Sequence, residues 1–547
     1  MLLLDRNEGG EPPTELLQIL GAMDAGVLRR YPDPRYLETA LGRRFNVAPE
    51  RVLVTAGGDD AIDRCCRAFL DPNRTAILSR PTFEMLERSL ALTRCTIECV
   101  PWGHDEFPTD DVIAKLDERV GLIALVSPNN PTGLCLGVKS LRRVARAAAD
   151  AIVLLDHAYV EYADHDLTGA ALALPNVVIV RTFSKAWGLA GCRIGFALGS
   201  TDLIRALRAS GGPYPVSALS LALARKCLEG DESIRLRHVG RVKFEREVLA
   251  ERLRIDGAMV PNSQANFVLA GFGPRASFVR DAMATAGVLV RDFSRRPGIE
   301  GSLRLTLPGN ELEFARLNDA LDLVLRPQAI LIDLDGVIAD VRGSYRRCII
   351  ATAASFGVTL SAREIRATIA AGDANNDWLL TQQMLEKHGV SAPLAEITRR
   401  FQASYLGSGL HRGLRDNERV LVDADVMAAL ARRFSLAIVS GRPRAEADWF
   451  LERAGMRHCF AAVVAMEDAP LKPDPAPVRL ALQRLGARRG WMLGDTPDDV
   501  RAAGEAGVLP IGVVAPGHDA TATTRVLRQA GAAWVIRNLT ELEDLIS

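Results

Sequence analysis

Two stretches of this sequence carry residue types at spacings that can do chemistry. In the first, Arg181-Thr182-Phe183-Ser184-Lys185-Ala186-Trp187-Gly188-Leu189-Ala190-Gly191-Cys192-Arg193, a lone lysine sits among hydroxyls and small or apolar residues. It follows an apolar run, Val177 to Val180, that reads as a buried strand. A lysine in an apolar pocket near another cation loses its proton easily and becomes a nucleophilic amine. The flanking hydroxyls and Arg193 are the donors and fixed charge that a phosphate takes. The bland alternative is a surface lysine after a strand. In the second stretch, Asp333-Leu334-Asp335-Gly336 ends the apolar strand Ala329-Ile330-Leu331-Ile332, so two carboxylates emerge together. Facing carboxylates repel unless a cation or proton lies between them. Magnesium suits such a site, with a substrate phosphate completing its shell. One aspartate can then attack phosphorus while the other serves as acid and base. A calcium loop is the alternative, although the EF-hand pattern is not continued.

Other segments add to each stretch. A lysine beside a phosphate cup is what pyridoxal phosphate needs, a coenzyme held covalently on an amine. Strand Val52-Leu53-Val54-Thr55 turns through Ala56-Gly57-Gly58-Asp59-Asp60 into a helix, whose first amides face an anion. Phe83, after another strand, either stacks on a pyridine ring or fills the core. Ser127-Pro128-Asn129-Asn130-Pro131-Thr132-Gly133 is a proline-locked turn, and an asparagine amide there can reach a phenolate oxygen. Ile152-Val153-Leu154-Leu155-Asp156 delivers a carboxylate at a strand end, with Tyr159 three residues on. Asp156 either keeps a pyridine nitrogen protonated or caps a helix.

The second stretch gains Leu436-Ala437-Ile438-Val439-Ser440, a strand ending in a hydroxyl for a phosphoryl oxygen. Lys472-Pro473 supplies a cation to offset charge on the transferring group. Trp491-Met492-Leu493-Gly494-Asp495-Thr496-Pro497-Asp498-Asp499 ends a further strand in carboxylates for a metal. Gly372-Asp373-Ala374-Asn375-Asn376-Asp377-Trp378 is a polar run that either faces a substrate or caps a helix.

These residues must be positioned by strands and helices. Short β-branched strands alternate with longer alanine- and arginine-rich helical stretches, the mark of an α/β protein. The chain has 547 residues, more than one core, and a boundary falls near Leu325-Arg326-Pro327-Gln328. Lys and Arg total 67, as do Asp and Glu, and no basic block marks a nucleic-acid or membrane surface. No run is long enough to span a bilayer, and Met1-Leu2-Leu3-Leu4 meets Asp5 too soon for a signal peptide. Nine cysteines without a CxxC pair read as reduced thiols of a cytoplasmic protein, and the dispersed histidines argue against a zinc site.

In order and spacing, Asn129-Asn130-Pro131-Thr132-Gly133, Asp156-xx-Tyr159, Ser184-Lys185 and Arg193 resemble fold-type I pyridoxal-phosphate aminotransferases. Arg30-Tyr31-Pro32-Asp33, Gly57-Gly58-Asp59-Asp60, Val290-Arg291-Asp292 and Leu303-Arg304-Leu305-Thr306 are similar to histidinol-phosphate aminotransferase. The resemblance covers 1–325, with a large domain of about 30–230 and a small one from the N-terminal arm and about 231–325. It implies that Lys185 holds the coenzyme and shuttles a proton, and that Asp156 pairs with the ring nitrogen. Asn130 and Tyr159 would meet the ring oxygen, with Phe83 stacked on the ring. Thr182, Ser184, Arg193 and the Gly58 and Asp59 amides would hold the phosphate, and Arg291 and Arg304 substrate anions. Tyr31 would reach the partner subunit's coenzyme, which implies a homodimer. Three departures are visible: only six residues precede Asn7-Glu8, Phe83 replaces a usual tyrosine, and His157 replaces a usual glutamate.

The segments from Asp333 to Asp499 resemble the four motifs of the haloacid-dehalogenase superfamily over 329–547, with a helical cap at about 340–423. That resemblance makes Asp333 the nucleophile, Asp335 the acid and base, and Ser440 and Lys472 phosphoryl-group partners. Asp333, Asp335 (through its backbone carbonyl), Asp495 and Asp499 would hold magnesium. Joined, the halves imply a bifunctional enzyme working on small phosphorylated molecules. The leading expectation is transamination between imidazole-acetol phosphate and histidinol phosphate with glutamate, then hydrolysis to histidinol. The alternatives are a threonine-phosphate decarboxylase-like or specialised-metabolism enzyme fused to another phosphatase, or one half that is a non-catalytic module.

Overall fold

A run such as Val120–Val126 has no polar face to give to water, so it is stable only with cover on both sides. Its neighbours in the sheet, Ile152–Asp156 and Val177–Thr182, are nearly as apolar. Side chains alternate across these strands and build two separate cores. Ile123, Leu125, Val153, Leu155, Val177 and Ile179 pack on one face. Leu122, Ala124, Val126, Leu154, Val178 and Val180 pack on the other.

The computed structural model describes residues 1–103, 106–371, 376–408 and 411–546. The chain forms two compact units, Met1–Ser277 with Leu289–Leu317, and Phe278–Val288 with Asn318–Ser547. In the first, a seven-stranded sheet runs Val52–Thr55, Gly195–Leu198, Val177–Thr182, Ile152–Asp156, Val120–Val126, Thr75–Arg80, Thr96–Pro101. Gly195–Leu198 is antiparallel to both its neighbours, and the other pairs are parallel. A smaller sheet orders Leu2–Leu4, Val288–Asp292, Ser302–Thr306 and Phe267–Gly271.

The second unit is built on a parallel sheet of six strands, with Ala329–Ile332 between Ser435–Val439 and Gly490–Gly494. Ala462–Val464 adds to one edge, and Leu509–Val513 with Trp534–Ile536 to the other. Asp333, Ser440 and Asp495 therefore leave three adjacent strands at their carboxyl ends, where open α/β sheets bind ligands. Between Asp340 and Arg419 the described residues include four α-helices, Tyr345–Ser355, Ala362–Ala371, Asp377–Lys387 and Leu394–Leu406. A two-residue ladder, Ala339–Asp340 against Arg419–Val420, brackets this insertion at its base. Both units are α/β, as the alternation of strands and helices in the sequence predicts.

Candidate active sites

In the first unit, Lys185 follows the strand Val177–Thr182 and faces a cavity. Its Nζ donates to the backbone carbonyl of Asn7 at 2.9 Å and lies 5.4 Å from the centre of the Tyr159 ring. Asp156 ends the adjacent strand and accepts the Ala158 N–H at 3.0 Å. Burial pushes its carboxyl up to about 7, helped by Asp59 and opposed by the Ala158 amide and Lys185. A carboxylate so placed gains most from a cationic partner. Asn130 donates through Nδ2 to Tyr159 Oη at 3.4 Å, and its Oδ1 accepts from Arg304 at 2.6 Å. Tyr159 Oη also takes a hydrogen bond from Asn7 Nδ2 at 3.2 Å.

A cup of donors also lines this cavity. Thr182 Oγ1 is 2.9 Å from Ser184 Oγ and accepts the Ser184 N–H at 3.0 Å. Arg193 is 3.4 Å from Ser184 Oγ and 2.9 Å from Asp59. The helix Gly57–Phe69 starts here without a side-chain cap, leaving its first amides to an anion. Gly57 has φ +81°, and a Cβ there would come within 2.9 Å of the Arg193 guanidinium. Glycine keeps the backbone close to that charge. Gly58, Asp59 and Phe83 also line the cavity.

In the second unit, Lys472 lies buried between two carboxylates, 2.8 Å from Asp333 and 2.5 Å from Asp499. It also donates to the carbonyl of Val439 at 3.0 Å. Burial works against its charge, but the two aspartates raise it above the ordinary lysine range. Asp333, Asp495 and Asp499 each present an oxygen within 4.8 Å of the others. Burial and the neighbouring carboxylates push Asp333 up to about 7 and raise Asp495 as well. Three oxygens crowded in this way match the hard-oxygen donor set of a divalent cation. Asp499 is fixed from behind, since its Oδ2 accepts from Thr496 N at 3.0 Å and Thr496 Oγ1 at 2.6 Å. Asp335 turns away from this cluster. Its Oδ1 lies 2.7 Å from Arg442 Nε and 2.5 Å from Nη2. A cavity opens over these groups, lined on its far side by Tyr345, Asn376, Asp377 and Trp378 of the insertion.

Comparison with known proteins assigns two successive parts of the chain. Residues 6–321 match the model of the aminotransferases of class I and II. The chain belongs to the class I and II aminotransferases. Residues 327–507 match the haloacid dehalogenase-like hydrolases, so this aminotransferase carries a hydrolase on the same polypeptide. A histidinol-phosphate aminotransferase of Roseiflexus castenholzii is 36% identical over 60% of this chain and 90% of its own length. An imidazoleglycerol-phosphate dehydratase of Phytophthora nicotianae is 40% identical over 40% of this chain and 52% of its own. Among solved structures, histidinol-phosphate aminotransferase from Sinorhizobium meliloti, in complex with pyridoxal 5'-phosphate, superposes with a TM-score of 0.54. At 24% identity over 58% of this chain and 89% of that one, it shows a shared fold.

The aminotransferase cavity gathers Gly58, Asp59, Phe83, Asn130, Asp156, Tyr159, Thr182, Ser184, Lys185 and Arg193. Arg304 reaches its edge through Asn130 and is buried, which pulls it down to about 10. Arg291 stands directly opposite Arg304 across the ladder, half-exposed and 3.6 Å from Glu84. Tyr31 lies outside this cavity, 80% exposed and stacked on Tyr214 with ring centres 4.5 Å apart. The hydrolase cluster gathers Asp333, Lys472, Asp495 and Asp499, with the Asp335 carboxylate on Arg442 instead. Ser440 is buried where its strand ends, its Oγ accepting the Arg442 N–H at 3.2 Å. Asp498 pairs with Arg501 at 3.2 Å. Gly372 to Asn375 lie outside the described residues, while Asn376 caps the helix Asp377–Lys387 and also lines the cavity, joining both sequence alternatives.

His157 has a local explanation in the structure. It is buried, contacts the Ser127 carbonyl through Nδ1 and accepts the Leu167 N–H at Nε2, 3.2 Å away. Burial, then Arg181, pushes the imidazole down to about 4, so a neutral ring serves as a donor and an acceptor. Two residues escaped sequence reasoning. Asn7 joins Lys185, Tyr159 and Thr306 from a backbone with φ +56°, a conformation asparagine tolerates. Its Asn-Glu-Gly setting was the available signal. Arg442 follows Ser440-Gly441 and gave no sign of its partners.

Proposed function

We propose that residues 1–325 transfer an amino group between glutamate and imidazole-acetol phosphate, and that residues 329–547 remove phosphate from the histidinol phosphate so formed. Identity of 36% across 90% of a histidinol-phosphate aminotransferase carries the first substrate. The relative named for imidazoleglycerol phosphate supports the same chemical series and histidine synthesis. Pyridoxal phosphate suits the first cavity, because a buried carboxylate raised to about 7 shares it with a lysine and a cup of donors. The coenzyme supplies an electron sink for chemistry at the substrate α-carbon. Lys185 Nζ would hold it and move the α-proton. Asp156 would keep the ring nitrogen protonated, Asn130 and Tyr159 would donate to the ring oxygen, and Phe83 would cover the ring. The amides of Gly58 and Asp59, with Thr182, Ser184 and Arg193, would bind the phosphate. Arg304 and Arg291 take the substrate's anionic groups. Two like charges opposed on a ladder are unfavourable without an anion between them, which supports that role. The exposed Tyr31 suits a homodimer in which it completes a partner's cavity. Nine free thiols suit a reducing cytoplasm.

In the second unit Asp333, Asp495 and Asp499 fit magnesium, a hard cation that neutralises charge on a phosphoryl group. Asp333 attacks phosphorus, the ester P–O bond breaks, and Asp335 gives the departing alkoxide its proton. Asp335 then takes a proton from water, whose oxygen attacks phosphorus and frees Asp333. Lys472 orients Asp333, and Ser440 steadies the phosphoryl oxygens. A coupled assay tests the proposal. Glutamate-dependent turnover and Mg-dependent phosphate release with these substrates are expected. Absence of both rejects the assignment.

A further inference from the structure

Arg442 is a many-partnered cation of the hydrolase unit that the mechanism above leaves without a task. Its side chain is 1% exposed and lies between two carboxylates, Asp335 at 2.5 and 2.7 Å and Glu418 at 3.0 Å. Tyr405 Oη is 3.5 Å from Nη1 and donates to Glu418 at 3.0 Å. The guanidinium also lies 4.6 Å from the centre of the Tyr345 ring and 5.4 Å from that of Phe450. Tyr345 and Tyr405 belong to helices of the insertion, and Glu418 stands at its base, beside the ladder that returns the chain to the sheet. Arg442 and Asp335 belong to loops at the carboxyl ends of the sheet strands. One planar group thus joins the acid and base of the reaction to the cap.

A lysine could not make these contacts together, because it lacks the planar fork that meets two carboxylates at once. A buried ion triad adds little net stability, but it can fix a geometry, and loss of one member leaves an uncompensated charge. A second contact sits nearby. Glu446, on a helix of the sheet layer, is held by the Tyr345 hydroxyl and by Gln402 at 2.7 Å, both from the insertion. The cap is therefore hydrogen-bonded to the sheet layer through Glu446 as well as through Arg442.

We propose that Arg442 is a positioning residue that holds the Asp335 carboxylate in its working direction and makes that direction depend on the cap through Glu418. The claim rests on Asp335 as acid and base, as assigned above. It concerns the step that needs a well-aimed base, attack of water on phosphorylated Asp333, and the step that needs an acid, departure of an alkoxide. It does not concern the first attack by Asp333. A leaving group that needs no proton separates these steps.

The experiment uses the full chain with magnesium and two esters, p-nitrophenyl phosphate and histidinol phosphate. In Arg442→Lys, nitrophenolate should appear in a burst of about one equivalent per active site, followed by turnover slowed about 10²-fold, with KM falling alongside so that kcat/KM is little changed. Histidinol phosphate turnover should fall by at least as much, without a burst. Glu418→Gln, which keeps Arg442 on Asp335, should show the same burst with a fall of about fivefold to tenfold, and it decides the matter if Arg442→Lys does not fold. Wild-type rates in either variant, or an equal loss on both esters with no burst, overturn the proposal. Failure of the phosphatase reading shows separately, as no Asp333-dependent phosphate release from the wild type with either ester.

Discussion

The two cavities both stand at the carboxyl ends of strands and both suit a phosphate, yet they meet it with opposite charge. The aminotransferase cavity offers a helix N-terminus, two hydroxyls and Arg193. The hydrolase cavity offers three carboxylates within 4.8 Å. The difference follows from what each must do. A phosphate that only anchors a ligand is held by direct donors, which need no further ion. A phosphoryl group that must be attacked and released calls for a nucleophilic carboxylate, and then a cation to let two anions approach. The lysines differ in the same way. Lys185 meets a backbone carbonyl and a ring face, whereas Lys472 is clamped by Asp333 and Asp499 and held charged. Burial alone does not make a lysine a nucleophile, and the neighbours decide.

The largest effects should split the chain's activities cleanly. Lys185→Ala is expected to remove the absorbance band of the bound coenzyme and lower transamination by on the order of 10⁴-fold or more, with phosphate release unchanged. Asp333→Asn should do the reverse. A variant that lost both activities would show that the cavities do not work independently. Next, chelation with EDTA should abolish phosphate release and leave glutamate-dependent turnover intact, with magnesium restoring the loss. Lys472→Met should then cost the hydrolase about 10²- to 10³-fold at saturating magnesium, measured as kcat, because Asp333 loses its fixed counter-charge.

How much of this was legible beforehand follows from where each residue sits. Asp156, Lys185, Asp333, Ser440 and Asp495 each follow an apolar run, and a parallel sheet places such residues on one edge. Their grouping needed only the strand pattern. The partners supplied by distant loops were not legible. Asn7 reaches Tyr159 across 152 residues, and Arg442 reaches Asp335 across 107. Nothing local in the chain sets those distances. The second carboxylate of the Asp-x-Asp pair shows the limit well. Spacing brings Asp333 and Asp335 to one strand end, but a buried arginine decides that only Asp333 joins the acidic cluster.

Arg304 gives a smaller and more local test of the first cavity. It is buried, donates to Asn130 at 2.6 Å and to the Asp5 carbonyl at 3.0 Å, and packs over Phe267 and Phe293. Arg304→Lys should raise KM for the phosphorylated substrate about tenfold to a hundredfold, since a lysine loses the fork but keeps the charge. Arg291, half-exposed and weakly paired, should cost less when changed to lysine. Equal effects at the two positions would remove the distinction the burial suggests.

The smallest expected effect concerns stability, and it sets two neighbours of the same cavity against each other. Asp156 is raised from an ordinary carboxylate value to about 7, mainly by burial. Between those values the folded, coenzyme-free chain binds a proton that the unfolded chain does not, so this group's stabilisation is full in acid and is lost as pH rises through 7. His157 is lowered from about 6.5 to about 4, again mainly by burial. Here the unfolded chain binds the extra proton, so stabilisation is full above 6.5 and is lost as pH falls toward 4. The two slopes oppose each other between about pH 4 and 6.5, and coenzyme-free wild type should show little net dependence from this pair. Asp156→Asn should expose the His157 slope, with Tm of the aminotransferase unit falling as pH drops from 6.5 to 4. His157→Gln should expose the opposite slope, with Tm falling as pH rises through 7. On the proposed role of Asp156, bound coenzyme should flatten its contribution, because the ring nitrogen would supply the positive partner that carboxylate lacks. Parallel Tm curves for the two variants would mean that neither group is buried in solution as it is in the fold.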